Sequence, residues 1–286
     1  MSELDPDVWL AACRAAADAA QTRLGGLVQR SERERVIGRG EGGDETVAVD
    51  QVAEEEVLAA FERLHQQDHS FTVISEELGE RRYGDGDVRV VVDPIDGSAN
   101  AKRGIPFYSL SIAVAAGPTM GDVKFGYVKD FGSGEEWTAT RGGGAFLNGT
   151  RLSEEKPKEE LEVLSLEATR MSLVAEHAPV LSPLAERLRI MGSCALSLCH
   201  FAAGRVDAVC TLRPIRSVDI ATTQLLATEQ ELPIRLTDGR PIASAPLDLT
   251  YRSRVVAAAR ADTCDHLSRT LRRVVPDERA SSYALR

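Results

Sequence analysis

Val88 to Val92 form a nearly uninterrupted apolar run that ends abruptly in Asp93-Pro94-Ile95-Asp96-Gly97-Ser98. A short run of this kind reads as a strand buried on both faces, so the chain must build a sheet with cover on each side. Further β-type runs lie at Phe71–Ile74, Tyr108–Ala115, Val123–Val128 and Trp137–Thr140. The last two read as a pair joined around Gly132–Gly134, after which Gly142-Gly143-Gly144 breaks the pattern. Helical signals surround them. Asp5-Pro6 caps a first helix that runs to about Leu24 and stops at Gly25-Gly26. A second helix starts near Asp50 and carries Val57, Leu58, Phe61 and Leu64 on one stripe. Between them, Ser31 to Gly43 reads as an exposed, mobile loop. The Lys/Glu-rich stretch Glu154 to Glu160 divides the chain into halves, 1–155 and 156–286. Beyond it, strands are expected at Val163–Leu166, Val206–Leu212 and Val255–Ala259. Helices are expected at Leu181–Leu188, Ala195–Ala203, Ile220–Thr228 and Asp262–Arg273. This mixture predicts stacked sheet and helix layers.

Composition narrows the partners. With 286 residues, 43% of them hydrophobic, the chain can bury a sizeable core. Its net charge of −10 argues against general nucleic-acid or membrane-surface binding, which needs a basic footprint. A small anionic substrate stays possible, because metal ions supply positive charge locally. The five cysteines, Cys13, Cys194, Cys199, Cys210 and Cys264, form no zinc-like spacing and read as reduced core residues. No apolar run approaches the roughly 20 residues of a membrane span, and Met1 to Pro6 lacks a signal pattern. The expectation is a cytoplasmic protein. The five histidines are scattered and are given no catalytic role.

The Asp93 to Ser98 segment carries the chemistry. Pro94 breaks strand alternation, so Asp93 and Asp96 can converge at the turn, and Gly97 lets the backbone approach a ligand. Residues after Gly97 can open a helix whose amides favour an anion. Carboxylates beside such amides suit Mg²⁺ with a phosphate. The same letters also make a good turn in which Asp96 simply caps a helix. Each of the other acidic candidates has an ordinary reading too. Glu76 and Glu77 follow a short strand and read either as site groups or as a solvated turn. Asp219 and Asp50 each read as a ligand or as a helix N-cap.

Taken in order, the motifs resemble the inositol monophosphatase superfamily, which includes fructose-1,6-bisphosphatases and nucleotide phosphatases. They are G-D-E-T-V-A-V-D at Gly43–Asp50, I-S-E-E-L-G at Ile74–Gly79 and D-P-I-D-G-S-A-N at Asp93–Asn100. G-I-P-F at Gly104–Phe107, G-G-G-A-F-L-N-G at Gly142–Gly149 and V-D-I-A at Val218–Ala221 complete the set. The G-D-E-T, S-E-E-L-G, G-I-P-F and R-P-x-R-x-V-D elements are most similar to the archaeal-type dual fructose-1,6-bisphosphatase/inositol monophosphatase branch. The resemblance implies an α/β (α+β) layered sandwich with αβαβα layers, and a homodimer. It implies two or three Mg²⁺ per site, with Mn²⁺ as a substitute. Glu76, Asp93, Ile95 (through its carbonyl), Asp96 and Asp219 would be metal ligands. Glu76, Ser98 and Asp50 would handle the attacking water, with serine standing where the family usually has threonine. Gly97 and Ser98 would supply amides to the phosphate. Asp44 would sit in the mobile loop and support a further metal.

Substrate contacts are assigned to Arg213 and Arg216, which also read as surface charge, and to Ser193 and Cys194, which also read as packing. Three departures bear on substrate. Val218 replaces the usual tryptophan, Glu229-Gln230-Glu231-Leu232 replaces E-A-G-G, and no aromatic follows Leu166. The expected activity is Mg²⁺-dependent hydrolysis of fructose 1,6-bisphosphate or myo-inositol 1-phosphate by a metal-activated water. The alternatives are a nucleotide 3′-phosphatase, an NADP phosphatase, or a non-catalytic sugar-phosphate sensor.

Overall fold

The computed structural model describes residues 4–41, 45–152, 156–168 and 170–274. Helix α1 (Pro6–Gly26) begins as its sequence prescribes, with the Asp5 carboxylate accepting the Asp7 N–H at 3.1 Å. A short helix α2 (Arg30–Arg33) and an antiparallel hairpin of β1 (Val36–Arg39) and β2 (Glu45–Val47) lead into helix α3 (Ala48–His65). Strands β3 (Phe71–Ser75), β4 (Gly79–Tyr83) and β5 (Arg89–Asp96) precede helix α4 (Ser98–Arg103). Strands β6 (Ser109–Ala115), β7 (Val123–Asp130), β8 (Glu136–Thr140), β9 (Gly144–Leu147) and β10 (Thr150–Arg151) follow. Next come β11 (Val163–Glu167), helix α5 (Met171–Leu181), β12 (Arg187–Arg189), helix α6 (Cys194–Ala202) and β13 (Ala208–Thr211). The described chain ends with β14 (Ile215–Arg216), helix α7 (Ala221–Glu229), β15 (Ile234–Leu236), β16 (Arg252–Ser253), β17 (Val255–Ala258) and helix α8 (Ala261–Val274).

Eight strands form one sheet in the order β10-β9-β8-β7-β6-β5-β3-β4, antiparallel except where β3 and β5 run parallel. Five form a second sheet in the order β12-β11-β13-β17-β15. Strand alternation divides the apolar residues among three cores. Val90 and Val92 face α1 and α3 together with Trp9, Phe61 and Phe71, whereas Val91 faces the other way, into the layer of α6 and α7. In the second sheet Val209, Val255 and Ala257 face that same middle layer, and Leu164, Leu166 and Cys210 face the outer cluster that includes Leu181 and Leu267. The layers are therefore αβαβα, and both sheets contribute a face to one central core.

Several local expectations change. The helix placed at Leu181–Leu188 lies earlier, as α5, which carries Pro179 within it and ends at Leu181, two residues before Pro183; Arg187–Arg189 instead pairs in parallel with β11. The loop expected over Ser31–Gly43 holds α2 and β1. Strand β4 had no apolar pattern to announce it, because its middle residues, Glu80 to Arg82, are exposed on the sheet edge. All five cysteines are buried thiols. Among the described residues no helix is long and apolar enough to cross a membrane. Residues 154 and 155 of the expected boundary, and Asp44, lie outside the described residues.

The missing E-A-G-G glycines alter a turn. Glu231 itself takes the left-handed backbone there, with φ of 58°. Glu229 is used elsewhere: its carboxylate accepts the N–H groups of Gly142 at 2.9 Å and Gly144 at 3.0 Å, fastening the β8–β9 turn to α7.

Candidate active site

Three segments far apart in sequence deliver carboxylates to one place. Strand β3 ends at Ser75 and presents Glu76, β5 carries Asp93, and the turn before α7 holds Asp219. One oxygen from each lies within 4.8 Å of the others. Pro94 produces the turn. The β5–β6 register slips between Asp93 and Asp96, and the Ile95 N–H folds back to Asp93 Oδ1 at 3.1 Å. Gly97 has φ of 96°, and a Cβ there would meet the carbonyl oxygens of Gly192 and Phe107, each at 3.1 Å. Only glycine fits this backbone and this approach, and α4 opens directly after it.

Asp96 does cap a helix, though not the one that follows it. Its carboxylate accepts the Ala195 N–H at 2.8 Å, the Cys194 N–H at 3.3 Å and the Ser193 hydroxyl, all at the N-terminus of α6. Ser193 is the N-cap of α6, accepting Leu196 N at 3.2 Å. The structure thus brings Ser193 and Cys194 to the site through Asp96. Asp50 is not an N-cap: α3 begins at Ala48, so Asp50 lies in its first turn and reaches back to Val47 N at 3.4 Å. Its Oδ1 is buried with no well-formed hydrogen bond. The Ser98 hydroxyl lies near enough to favour the charged form of Asp50, but it donates its hydrogen bond to the Ile95 carbonyl at 3.0 Å. Asp219 also does not cap α7, whose N-cap is Ile220; it accepts the Arg216 N–H at 2.8 Å.

Arg216 is a buried residue on β14, and its guanidinium pairs with Glu76. It is part of the acidic cluster and not a surface charge. Arg213 is half-buried, with its N–H on the Ala168 carbonyl at 3.0 Å.

Burial sets the electrostatics. It pushes the Asp93 carboxyl well above the usual carboxylate range, with Glu76, Asp96 and Asp219 adding repulsion. Burial and Glu76 push Asp219 up to about 8. Burial also raises Asp50 to about 7, against the pull of Ser98. Asp96 is raised only to about 6, because the Ser193 hydroxyl and the Ala195 N–H oppose its burial. Crowded carboxylates of this kind are costly unless a cation joins them. The donors are hard oxygens and the cluster contains no histidine or cysteine, so the residues suit a hard divalent cation such as Mg²⁺ or Mn²⁺ better than zinc.

Sequence reasoning gave no role to three residues that hold this site. Glu54 accepts the Ser75 hydroxyl and the Leu78 N–H at 3.0 Å, bracing the Glu76 turn. Asn100 donates to the Phe107 and Met191 carbonyls, each at 2.8 Å. Glu167 receives N–H groups from residues 191 and 192. Glu167 had a readable signal, an acidic residue closing an apolar strand, as at Asp93.

The profile of the inositol monophosphatase family matches residues 8–275. The fructose-1,6-bisphosphatase/inositol-1-monophosphatase of Methanothermobacter thermautotrophicus is 33% identical over 282 residues, covering 95% of this chain and 99% of the relative. The Nus factor SuhB of Escherichia coli K12 is 32% identical over 233 residues, 79% of this chain and 84% of SuhB. In three dimensions the crystal structure of the MJ0109 gene product, an inositol monophosphatase-fructose 1,6 bisphosphatase, superposes with a TM-score of 0.78 at 26% identity, covering 92% of this chain and 99% of that one. The chain belongs to the inositol monophosphatase family.

Proposed function

We propose that the protein hydrolyses a phosphate monoester of a sugar or polyol, fructose 1,6-bisphosphate or myo-inositol 1-phosphate, with Mg²⁺ and a directly attacking water. The observation that carries this reading is the convergence of Glu76, Asp93 and Asp219 from three separate segments. Glu76, Asp93, the Ile95 carbonyl, Asp96 and Asp219 would hold two or three metal ions. When bound, such ions neutralise the phosphate dianion and lower the pKa of a bound water. The protein's own groups do the rest. The amides of Gly97 and Ser98, where α4 opens, receive phosphate oxygens. The Ser98 hydroxyl, set between Ile95 O and Asp50, orients the water, and Glu76 takes its proton. Arg213 and the Ser193-Cys194 turn face the non-phosphate part of the substrate. A homodimer is the proposed assembly, and the cytoplasm the proposed location.

The test is phosphate release, with Mg²⁺ and with EDTA, from fructose 1,6-bisphosphate, myo-inositol 1-phosphate, 3′-phosphoadenosine 5′-phosphate and NADP. Metal-dependent cleavage of the first two supports the proposal, and Asp93→Asn must abolish it. Cleavage of the nucleotides alone moves the assignment to a nucleotide phosphatase. Binding without cleavage makes the protein a sugar-phosphate sensor.

A further inference from the structure

Glu167 closes β11, 1% exposed, and four donors lie within hydrogen-bond distance of its carboxylate. Oε1 accepts the Ser165 hydroxyl at 3.0 Å, the Ser197 hydroxyl at 2.8 Å and the Met191 N–H at 3.1 Å; Oε2 accepts the Gly192 N–H at 2.8 Å. None of these donors carries a charge. Two neutral hydroxyls and two amides are a weak return for burying a carboxylate, and burial raises its pKa accordingly. A group retained on such terms has a geometric task.

The geometry shows which. Residues 191 and 192 form a strap gripped from both sides. Their N–H groups point to Glu167, while the Met191 carbonyl accepts Asn100 Nδ2 at 2.8 Å. The Gly192 carbonyl lies 3.1 Å from the position of a Cβ on Gly97. The strap then continues into Ser193, Cys194 and Ala195, the three donors on Asp96. Ser197, one turn into α6, returns to Glu167. Next to Glu167, Ala168 has φ of 46°, a conformation that costs energy for any residue but glycine.

We propose that Glu167 is a positioning residue: by fixing the 191–195 strap it sets the orientation of Asp96 and the width of the cleft at Gly97. The inference rests on the reading of Asp96 as a metal ligand. It assigns to the second sheet control over a carboxylate carried by the first.

The experiment compares Glu167→Gln, close in shape, with Asp207→Asn. Asp207 is a buried carboxylate in the same half that likewise holds backbone N–H groups, at residues 158, 162 and 163, and among the described residues makes no hydrogen bond to the strap. Two quantities are read on folded protein: Mn²⁺ affinity by calorimetry, and kcat with its Mg²⁺ half-saturation. For Glu167→Gln we expect metal affinity and kcat to fall about 10- to 100-fold with KM changed less than about threefold. For Asp207→Asn we expect a lower melting temperature and unchanged metal affinity. The proposal is overturned if Glu167→Gln binds Mn²⁺ within twofold of the parent, or if both variants lose metal affinity in step with their melting temperatures. Because Mn²⁺ binding needs no turnover, failure of the parent to cleave any phosphate counts against the proposed function alone.

Discussion

Replacing Asp219 by asparagine isolates the charge at the acidic cluster, because the amide oxygen still accepts the Arg216 N–H, now bonded at 2.8 Å. Burial, with repulsion from Glu76 and Asp96, raises the Asp219 carboxyl from 3.8 to about 8. A carboxyl with a higher pKa folded than unfolded favours folding only while protonated. Its contribution is complete below about pH 4 and is lost as pH rises through about 8. At about 1.4 kcal/mol per pKa unit, the ceiling near pH 7.5 is about 5 kcal/mol. Arg216 beside it and relaxation of the cluster reduce the expected gain from the substitution to about 2 kcal/mol. That corresponds to a rise of roughly 3 °C in melting temperature for a chain of this size. Scanning calorimetry in EDTA at about pH 7.5 should show Asp219→Asn melting higher than the parent, and at about pH 4.5 the two should coincide. With saturating Mg²⁺ the order should reverse, since only the parent gains the full stabilisation of bound metal. Equal melting in EDTA at the higher pH, or a difference that persists unchanged at the lower pH, would refute the electrostatic reasoning.

The parent protein in EDTA should itself lose melting temperature between about pH 5 and 8, as Asp50, Asp96 and Asp219 ionise, and Mg²⁺ should flatten that slope; differential scanning fluorimetry across pH reads both. Glu231→Gly relieves a left-handed backbone at φ 58° and should stabilise by about 1 kcal/mol in urea unfolding, leaving kinetics unchanged. Trp9→Ala removes a buried ring packed edge-on against Phe61 and Phe71 at 6.3 and 5.4 Å, and should cost about 3–5 kcal/mol in the same assay. Ser98→Ala should lower kcat about 100-fold, whereas Ser98→Thr, which keeps the hydroxyl, should retain activity.

The sheet strands nearest the site were legible because they are buried on both faces, so their sequences run almost unbroken; Val90 to Val92 serve two cores at once. The edges were not. Strand β4 pairs its backbone along a row of charged residues, and β12 is all exposed, so neither leaves an apolar trace. The acidic motifs were legible as candidates because each closes a strand or opens a helix. What each carboxylate touches was not, since that depends on which distant helix arrives beside it. Asp96 illustrates this: D-P-x-D-G suggested a cap for the next helix, while the helix it caps begins 98 residues later, at Cys194. Arg216 gave no hint of burial, because the ion pair that makes burial tolerable lies 140 residues away, at Glu76.

This difference in partners divides the cluster into two kinds of carboxylate. Asp96 receives two backbone N–H groups and a hydroxyl at a helix N-terminus, where the dipole and the amides favour negative charge. Its pKa is therefore raised only to about 6, below that of Asp219. Asp93 and Asp219 have one backbone N–H each, from Ile95 and Arg216, and face like charge that the Arg216 guanidinium only partly offsets at Asp219. A divalent cation gains little from Asp96 that the helix does not already supply, but it relieves most of the repulsion among Glu76, Asp93 and Asp219. The order of metal binding follows. We therefore expect the first ion at the Glu76–Asp93–Asp219 trio, with an ion leaning on Asp96 second and weaker. Mn²⁺ calorimetry should resolve a tighter and a weaker step. Asp96→Asn should erase the weaker step and spare the tighter one; if it erases the tighter step instead, this ranking of the carboxylates is wrong.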